Sequence, residues 1–358
     1  MKNVLTDDLR PGMIVAKDIY LYNDTLFLGE GAMLTDKIIS SLYIHSVISV
    51  YIKEDKNKIS LDQSERPTDY FTRVREQTEF REFQQKFEIN AFHLKREINN
   101  AVKNNASLNL DMLYDYSNTL IQNNHLKSSM FDMLHNMRNY DDTTYIHSLN
   151  VSLICNIFGQ WLDLNEYDLQ TLTLSGLLHD IGKLRIPDQI IKKPGKLTQT
   201  EYDIIKTHTT NGYKILKNHD IDRRIINATL MHHERMDGTG YPFHLDGTSI
   251  QDFAKIVSIA DVYDAMTSSR IYRGPLCPFK VLSIMEQEGM QKYDPKYFLI
   301  FMEYIGSTYL HTSVLLSDGR VGEVVFINSN TPSRPLVKIG NTCIDLSKTS
   351  DITIEKIL

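Results

Sequence analysis

The feature of this sequence that most restricts how it can fold is a set of histidines and aspartates inside otherwise apolar helical segments. Asp261 follows the apolar run at residues 256–260, and His147 lies between Ile146 and Leu149. A carboxylate without a partner is costly to bury on such a helix, so these side chains need partners inside the core. The full set comprises His147, His179, Asp180, His208, His232, His233 and Asp261.

Any one of these residues, taken alone, is most simply explained as a hydrogen-bonded side chain of the core or the surface. Seven of them within one segment call for a common explanation. Facing helices that project imidazoles and carboxylates inward are a standard way to build a site for two metal ions. The pattern therefore predicts a mainly helical domain organised around such a site.

The type of these side chains restricts the metal. Imidazoles and carboxylates without a thiolate disfavour structural zinc and favour Fe, Mn or another octahedral divalent ion. Two such ions at roughly 3.5–4 Å can share a hydroxide nucleophile and stabilise both oxygens of a displacement at phosphorus. We therefore predict two divalent ions as cofactors, with Fe or Mn favoured.

A glycine-rich loop at residues 237–242 follows the histidine pair. Gly238 and Gly240 permit positive φ and close approach of the backbone to a ligand. Tyr241 can stack on a purine, and Pro242 stiffens the loop. The alternative is a bare surface turn, but we favour a substrate-binding loop that includes Gly240, Tyr241 and Pro242.

Bulk composition excludes several classes of protein. The net charge of −6 argues against a general DNA or RNA binder, which needs a basic face. No apolar run reaches the ~18 residues of a membrane span, and the first ten residues resemble no signal peptide. Three scattered cysteines without CxxC spacing are typical of a reducing compartment. We predict a cytoplasmic protein without membrane insertion.

The chain is predicted to have four parts. Residues 1–60 mix short apolar runs with turn signals, which indicates a small α+β module containing a strand near residues 47–52. Residues 61–139 are helical by period and are a candidate connector or homodimerisation region. Residues 140–310 carry the histidine motifs. Residues 311–358 contain a hairpin signal at residues 317–320 and indicate a small antiparallel β appendage.

Six short motifs follow one another in a fixed order within residues 140–308. They are His179-Asp180-Ile181-Gly182-Lys183, Ile186-Pro187-Asp188, Lys193-Pro194-Gly195-Lys196-Leu197-Thr198, His232-His233-Glu234-Arg235, Asp237-Gly238-Thr239-Gly240-Tyr241-Pro242 and Ile259-Ala260-Asp261-Val262-Tyr263-Asp264-Ala265-Met266-Thr267. In their order and spacing, these motifs resemble an HD-GYP domain, a branch of the HD phosphohydrolase superfamily, and the resemblance covers just under half of the chain.

The resemblance implies a metal-dependent phosphodiesterase that hydrolyses cyclic di-GMP to linear pGpG, and in some members onward to GMP. It also implies two ligand sets that share the carboxylate of Asp180. One ion would be held by His147, His179, Asp180 and Asp261. The other would be held by Asp180, His208, His232 and His233.

The resemblance further assigns residues to the substrate. Lys183 would contact the scissile phosphate or help to protonate the leaving oxygen. Arg270 and Arg273 match positions that hold the phosphates of the dinucleotide, a role that suits the charged planar fork of guanidinium. Asp180 and Lys183 are thus the predicted catalytic residues.

One position departs from the family pattern. Some members carry a glutamate four residues before the first histidine and bind a third metal, whereas this chain has Thr143 there. A neutral hydroxyl is a poor substitute for a carboxylate ligand. We therefore expect two metal ions and not three.

Other functions remain compatible with these motifs. Cyclic GMP-AMP contains the same phosphodiester and would use the same site, and the motifs do not separate guanine from adenine recognition. HD-type hydrolases of dNTPs or ppGpp share the core but do not require the loop at residues 237–242. A non-catalytic dinucleotide-binding protein, signalling through the helical region or the β appendage, would be expected to have lost ligands. Thr143 is the one such departure in the motifs.

Overall fold

The structure is a computed structural model. Most of the chain is described, including the region that carries the histidine motifs. The described residues are 2–5, 9, 12–20, 26–35, 38, 42, 49–53, 70–104, 106–122, 130–137, 143–193, 197–267 and 276–358. The chain divides into two compact units, one of residues 1–67 with 269–274 and one of residues 68–268 with 275–358.

The first unit contains short antiparallel strands around a small core of its own. β1 (Lys2–Leu5) pairs with β4 (Ser49–Ile52), and β2 (Ile19–Tyr20) pairs with β3 (Leu26–Leu28). The buried apolar side chains of this core include Val15, Leu34 and Val50. The strand expected near residues 47–52 corresponds to β4.

The second unit is mainly helical. Among its described residues, two 3-10 turns, Ile181–Arg185 and Leu346–Lys348, accompany the helices. The helices are α1 (Tyr70–Glu76), α2 (Thr78–Asn104), α3 (Leu110–Ile121), α4 (Met130–Asn136), α5 (Thr143–Trp161), α6 (Glu166–Leu178), α7 (Asp188–Ile191), α8 (Gln199–Lys206), α9 (His208–Leu216), α10 (Arg223–Met231), α11 (Asp252–Thr267), α12 (Pro278–Lys292) and α13 (Pro295–Ser307).

Local signals explain where several of these helices begin. Asn165 caps α6 by accepting a hydrogen bond from the amide of Asp168, and Asp222 caps α10 in the same way. Thr198 and Glu201 form a reciprocal capping box at the start of α8. These caps fix the ends of the helices that surround the histidine cluster.

The centre of the second unit is formed by helices with little amphipathic character. α5 and α6 pack against each other, and α11 packs against α5, α6 and α10. Leu149 and Leu153 on α5 and Leu178 on α6 are fully buried. Because these helices are apolar on most sides, each polar side chain on their buried faces must find a partner within the bundle.

The C-terminal part of the second unit is a five-stranded antiparallel sheet in the order β8-β7-β6-β5-β9. Its strands are β5 (Ser313–Leu316), β6 (Val321–Phe326), β7 (Leu336–Ile339), β8 (Thr342–Asp345) and β9 (Ile354–Ile357). The predicted hairpin joins β5 to β6, with Gly319 at a positive φ of 85°. Val314, Val324 and Val337 are buried in the same hydrophobic core as the helices.

The prediction of a mainly helical chain with a small antiparallel C-terminal sheet is confirmed. The described helices from α1 onward and the C-terminal sheet fall within one compact unit. The division of the chain into four parts therefore stays a prediction. Within the described part of the chain, no helix is both long enough and apolar enough to cross a membrane.

Candidate metal centre

Five elements of the helical unit bring the predicted ligands together. Each side chain stands on a helix or at the end of one. His147 lies on α5, His179 and Asp180 follow α6, His208 begins α9, His232 and His233 follow α10, and Asp261 lies on α11. His179, Asp180, His208, His232 and Asp261 are all buried.

The carboxylate of Asp180 lies at the centre of the cluster and faces both sides of it. Its Oδ2 is 3.3 Å from Nε2 of His179 and 3.5 Å from Nε2 of His147. Its Oδ1 is 3.3 Å from Nε2 of His208 and 3.9 Å from Nε2 of His232. The two oxygens of one carboxylate therefore face two different groups of histidines.

Each group is compact enough to surround one cation. Candidate ligand atoms of His147, His179 and Asp261 all lie within 4.8 Å of one another, and we call these residues the first group. Those of His208, His232 and His233 satisfy the same limit and form the second group. A third cluster, His179, Asp180 and His232, satisfies the same limit and joins the two groups, so the structure brings the predicted ligands together while their division between two ions stays a prediction.

Hydrogen bonds on the outer ring nitrogens orient the histidines. Nδ1 of His179 lies 2.7 Å from the carbonyl of Gly176, and Nδ1 of His208 lies 2.8 Å from that of Ile205. Nδ1 of His232 is 3.0 Å from the carbonyl of Thr229. A carbonyl can only accept, so Nδ1 carries the proton and the Nε2 lone pair faces the centre, as in metal-binding histidines.

Two residues without an assigned role in the sequence support His147. Nδ1 of His147 is 2.8 Å from Oδ2 of Asp264, and Oδ1 of Asp264 accepts a hydrogen bond from the side-chain Nδ2 of Asn150 at 3.0 Å. Asp264 belongs to a motif that was visible in the sequence. Its contact with His147 spans 117 residues and could not be derived from local spacing.

Two buried atoms at the centre lack hydrogen bonds. Nε2 of His179 and Oδ1 of Asp180 have no hydrogen-bond partner in the described part of the chain. Buried polar atoms are normally satisfied, and both of these atoms point into a set of imidazoles and carboxylates. This donor set fits divalent metal ions.

The electrostatics of the cluster favour forms that bind metals. Burial lowers the pKa of His232 and of His233 well below the usual value. Burial opposes ionisation of Asp180, but Lys183 and His179 hold the pKa of its carboxyl well below the usual range. At His147 burial is outweighed by hydrogen bonds to Asp261 and Asp264, which raise its pKa to about 10. The second group thus offers neutral imidazoles beside ionised carboxylates, whereas a metal ion bound by the first group would displace a proton from His147.

The loop at residues 237–242 is fixed against the second group. The buried carboxylate of Glu234 accepts hydrogen bonds from the amides of Phe243 at 2.7 Å and Leu245 at 3.0 Å. The ring of Tyr241 stacks on that of His233, with centroids 4.7 Å apart and planes 28° apart. Glu234 is therefore a structural residue of the site whose role the sequence did not predict.

The two loop glycines serve different purposes. Gly238 adopts the predicted positive φ, at 74°. A Cβ at Gly240 would lie 2.4 Å from the amide nitrogen of Arg235 and 2.5 Å from the carbonyl oxygen of His233. The close approach at Gly240 is thus to the chain's own backbone. Contact between Gly240, Tyr241 or Pro242 and a substrate remains a prediction.

Lys183 stands beside the central carboxylate. It lies in the 3-10 turn, with Nζ 2.5 Å from Oδ2 of Asp180 and a side chain that is 28% exposed. Gly182 allows this turn to approach α9, because a Cβ there would lie 1.9 Å from the carbonyl oxygen of His208. Lys183 therefore reaches both the cluster and the surface.

Two predicted positions lie outside the described residues, and at a third only the backbone is described. Arg270 and Arg273 fall in the undescribed segment 268–275, and the side chain of Thr143 is likewise not described, although α5 begins at that residue. Their predicted roles stay predictions.

A helical bundle that holds paired histidine groups around a His-Asp doublet defines a protein of the HD class. Residues 107–297 match the family model of the HD domain, which is more than half of the chain. The chain belongs to the HD domain family.

Curated relatives agree with this assignment and confirm the resemblance to HD-GYP phosphodiesterases. A cyclic di-GMP phosphodiesterase of Pseudomonas aeruginosa is 35% identical over 205 residues, which cover 57% of this chain and 49% of the relative. A 3'3'-cGAMP-specific phosphodiesterase of Vibrio cholerae is 40% identical over 145 residues, covering 40% of this chain and 34% of the relative. The chain thus spans half or less of the length of these relatives.

A solved structure shows the same fold. An HDG"Y"P protein from Bdellovibrio bacteriovorus aligns with a TM-score of 0.50 at 19% identity, covering 85% of this chain and 99% of that one. At this identity the likeness concerns the fold alone.

Proposed function

We propose that this chain is a metal-dependent phosphodiesterase that hydrolyses cyclic di-GMP to linear pGpG. The observation that carries the proposal is the position of Asp180, whose two oxygens face two separate groups of histidines. One carboxylate between two cation positions suits a two-metal site, which can stabilise both the attacking and the leaving oxygen of an in-line displacement at phosphorus. The names of the curated relatives support a cyclic dinucleotide as the substrate.

In this proposal the first group with Asp180 holds one divalent ion and the second group with Asp180 holds the other. When bound, such ions supply a water of lowered pKa and polarise a phosphoryl oxygen. Fe or Mn suits the imidazole and carboxylate ligands. Because Thr143 replaces a carboxylate, we propose two ions per chain, and metal analysis that gave three would contradict this number.

The chain's own residues bind and orient the substrate. Lys183 would donate a hydrogen bond to the scissile phosphate or a proton to the leaving oxygen, and it stands beside Asp180 on the exposed side of the cluster. Tyr241, held by its stacking on His233, would pack against a purine. Arg270 and Arg273 are proposed to bind the second phosphate, which the metal ions do not reach.

Turnover by the purified full chain tests the proposal. Protein prepared anaerobically with Fe²⁺ or Mn²⁺ should convert cyclic di-GMP to pGpG, detected by chromatography. Tight binding of the dinucleotide with full metal occupancy and no turnover would instead support a non-catalytic signalling protein. Hydrolysis of dNTPs or ppGpp with no action on cyclic dinucleotides would contradict the proposal.

A second substrate has specific support. One relative named as specific for 3'3'-cGAMP is 40% identical to this chain over the matched region. Comparison of kcat/KM for cyclic di-GMP and 3'3'-cGAMP on the same preparation decides between the two. A preference of ten-fold or more for the mixed dinucleotide would make cyclic GMP-AMP the substrate.

Two further expectations belong to this proposal. We propose that the protein acts in the cytoplasm, where such a second messenger would be degraded. We also propose a homodimer formed through the helical region, where Ile89 and Phe92 of α2 are 56% and 64% exposed. Light scattering of the full chain and of Phe92→Glu tests the dimer. A monomer at micromolar concentration would contradict it.

A further inference from the structure

Within the first group, His147 is supported by different chemistry from the other histidines whose outer nitrogens have described partners. His179, His208 and His232 each bond through Nδ1 to a main-chain carbonyl. His147 instead bonds through Nδ1 to a carboxylate, that of Asp264, at 2.8 Å. A carboxylate partner carries a full charge, whereas a carbonyl is a neutral dipole. The support of the first group is therefore electrostatically stronger.

The carboxylate of Asp264 is itself held in place. Asp264 is 1% exposed, and its Oδ1 accepts a hydrogen bond from Nδ2 of Asn150 at 3.0 Å. Asn150 is also 1% exposed and lies one helical turn after His147 on α5. Asp264 thus contacts two residues of α5. Asn150 orients the carboxylate, and the carboxylate in turn orients His147.

The charges around the first group are mainly negative. Oδ1 of Asp261 lies 3.0 Å from Nε2 of His147, and Oδ2 of Asp180 lies 3.5 Å from the same nitrogen. Three carboxylates, including Asp264, therefore converge on one imidazole. Lys183 meets Oδ2 of Asp180 and offsets one of these charges. The sum of the charges on these three carboxylates and Lys183 remains negative.

The second group has less negative charge around it. Among the described residues, its close carboxylate oxygen is Oδ1 of Asp180, with Oδ2 of Asp261 at 4.0 Å from His233. The carboxylate of Glu234 is turned to the loop amides, and the guanidinium of Arg235 lies near the carbonyl of His232. A divalent cation is therefore attracted less strongly to this group.

We propose that Asp264, held by Asn150, is a positioning residue that makes the first group the tighter of two unequal metal positions. The inference rests on the metal centre of the proposed function and adds that its two ions bind in sequence. A carboxylate on the outer nitrogen fixes the tautomer and increases the basicity of the ligand. Loss of such a partner typically costs 10–100-fold in metal affinity.

Equilibrium dialysis tests this inference without substrate. The Mn²⁺-loaded full chain is dialysed against buffers of graded free Mn²⁺, and the bound ions per chain are counted by elemental analysis. We expect two steps separated by about ten-fold or more in free Mn²⁺. His147→Ala should remove the tighter step, and His208→Ala should remove the weaker one, which assigns each step to a group.

Asp264→Asn preserves the shape of the side chain and removes its charge. The tighter step should weaken by about 10–100-fold while the weaker step stays in place. Asn150→Ala leaves the charge but frees the carboxylate and should weaken the same step by a smaller factor. Asp252→Asn is the matched control, because Asp252 lies on the same helix and its side chain is 67% exposed. It should leave both steps unchanged.

Several outcomes would overturn the inference. These are equal affinity of the two ions in the unmodified chain, equal weakening of both steps by Asp264→Asn, and a loss of thermal stability in that variant with unchanged metal steps. If Asp264→Asn does not fold, the effect of Asn150→Ala on the tighter metal-binding step tests the inference alone. Two unequal steps in a protein without hydrolytic activity would reject the proposed function and leave this inference standing.

Discussion

At the scale of single residues, the chemistry of this site depends most on Asp180. Its neighbours supply ligand atoms to one side of the cluster, whereas Asp180 presents one oxygen to each side at 3.3 Å from the nearest imidazole nitrogen. A substitution at Asp180 therefore affects both groups at once. A substitution at His147 or His208 affects mainly one of them.

The first prediction follows from this geometry. In Asp180→Asn one oxygen becomes an amide nitrogen, which donates and cannot serve as a metal ligand. We expect loss of bound metal at both positions and a fall in kcat/KM of more than about a hundred-fold, since a supporting residue alone is worth 10–100-fold. Elemental analysis and turnover of cyclic di-GMP measure the two effects. Asp188→Asn, at a carboxylate whose side chain is 77% exposed, is the control.

A second residue-scale prediction concerns a buried acid outside the metal centre. Asp132 on α4 is 6% exposed, and burial raises its pKa from 3.8 to about 6, although the hydrogen bond from Tyr70 opposes the rise. The folded state thus holds this proton up to a higher pH than the unfolded state does. Stability is therefore lost as pH rises from about 4 to about 6 and stays lost above that range.

The size of this loss makes it measurable. A shift of about two pKa units corresponds to about 3 kcal/mol at pH 7. Asp132→Asn, which cannot ionise, should raise the free energy of unfolding in urea by about 2–3 kcal/mol at pH 7.5, and the gain should disappear at pH 4. Glu355→Gln, which removes a carboxylate at an exposed position of β9, is the matched control for the change of side chain. An equal gain from Asp132→Asn at both pH values would exclude ionisation as its cause.

At the scale of secondary structure, periodicity in the sequence was sufficient to find the helices of the site. Leu149, Leu153 and Ile157 recur at helical spacing and are buried on α5, because a buried helix face needs apolar side chains at each turn. Each predicted ligand therefore fell on a helix or at the end of one. Helix spacing and motif type were thus enough to nominate the candidate site.

The sequence could not predict which side chains meet when two helices that are far apart along the chain pack together. The pairing of Asp264 with His147 joins α11 to α5, and no local pattern encodes which side chains of two packed helices meet. The position of Asp180 between two ligand sets was expected from the family resemblance and not from local spacing. Glu234 was visible in a motif, but its role depends on the path of the loop that returns to it.

The loop at residues 237–242 gives a third prediction. In Gly240→Ala the new Cβ would lie about 2.4 Å from backbone atoms of Glu234 and Arg235, which cannot move aside as a flexible side chain would. The loop should shift and carry Tyr241 away from His233. We expect KM for cyclic di-GMP to rise at least ten-fold, with the first metal ion retained.

Gly238 supplies the matched control for this loop. It has a positive φ of 74°, but an added Cβ would meet nothing closer than 3.8 Å. Gly238→Ala should therefore show only the strain of a left-handed alanine, about 1–2 kcal/mol, measured by thermal unfolding. A larger effect on KM from Gly238→Ala than from Gly240→Ala would contradict the assignment of the close contact.

At the scale of the whole molecule, the C-terminal sheet differs from the N-terminal unit in how it is stabilised. Val314, Val324 and Val337 belong to the same hydrophobic core as the helices, and β9 packs against α12. Glu286 on α12 also accepts hydrogen bonds from the amide and the hydroxyl of Ser333, which precedes β7. By contrast, Val15 and Val50 belong to a separate small core.

The last prediction compares two truncations of the chain. Deletion of residues 311–358 would remove Val314, Val324 and Val337 from the core that they share with the helices and would uncover the part of α12 that β9 contacts, and each such apolar side chain is worth about 1.5–3 kcal/mol when buried. A few such losses approach the typical stability of a domain, about 5–15 kcal/mol, so this variant should be insoluble or lack a cooperative unfolding transition. Deletion of residues 1–67 removes a separate core and should leave the unfolding transition and the metal content of the remainder intact. Solubility, urea unfolding and elemental analysis of both variants provide the test. A stable, metal-binding product of the first deletion would mean that the sheet is a separable domain after all.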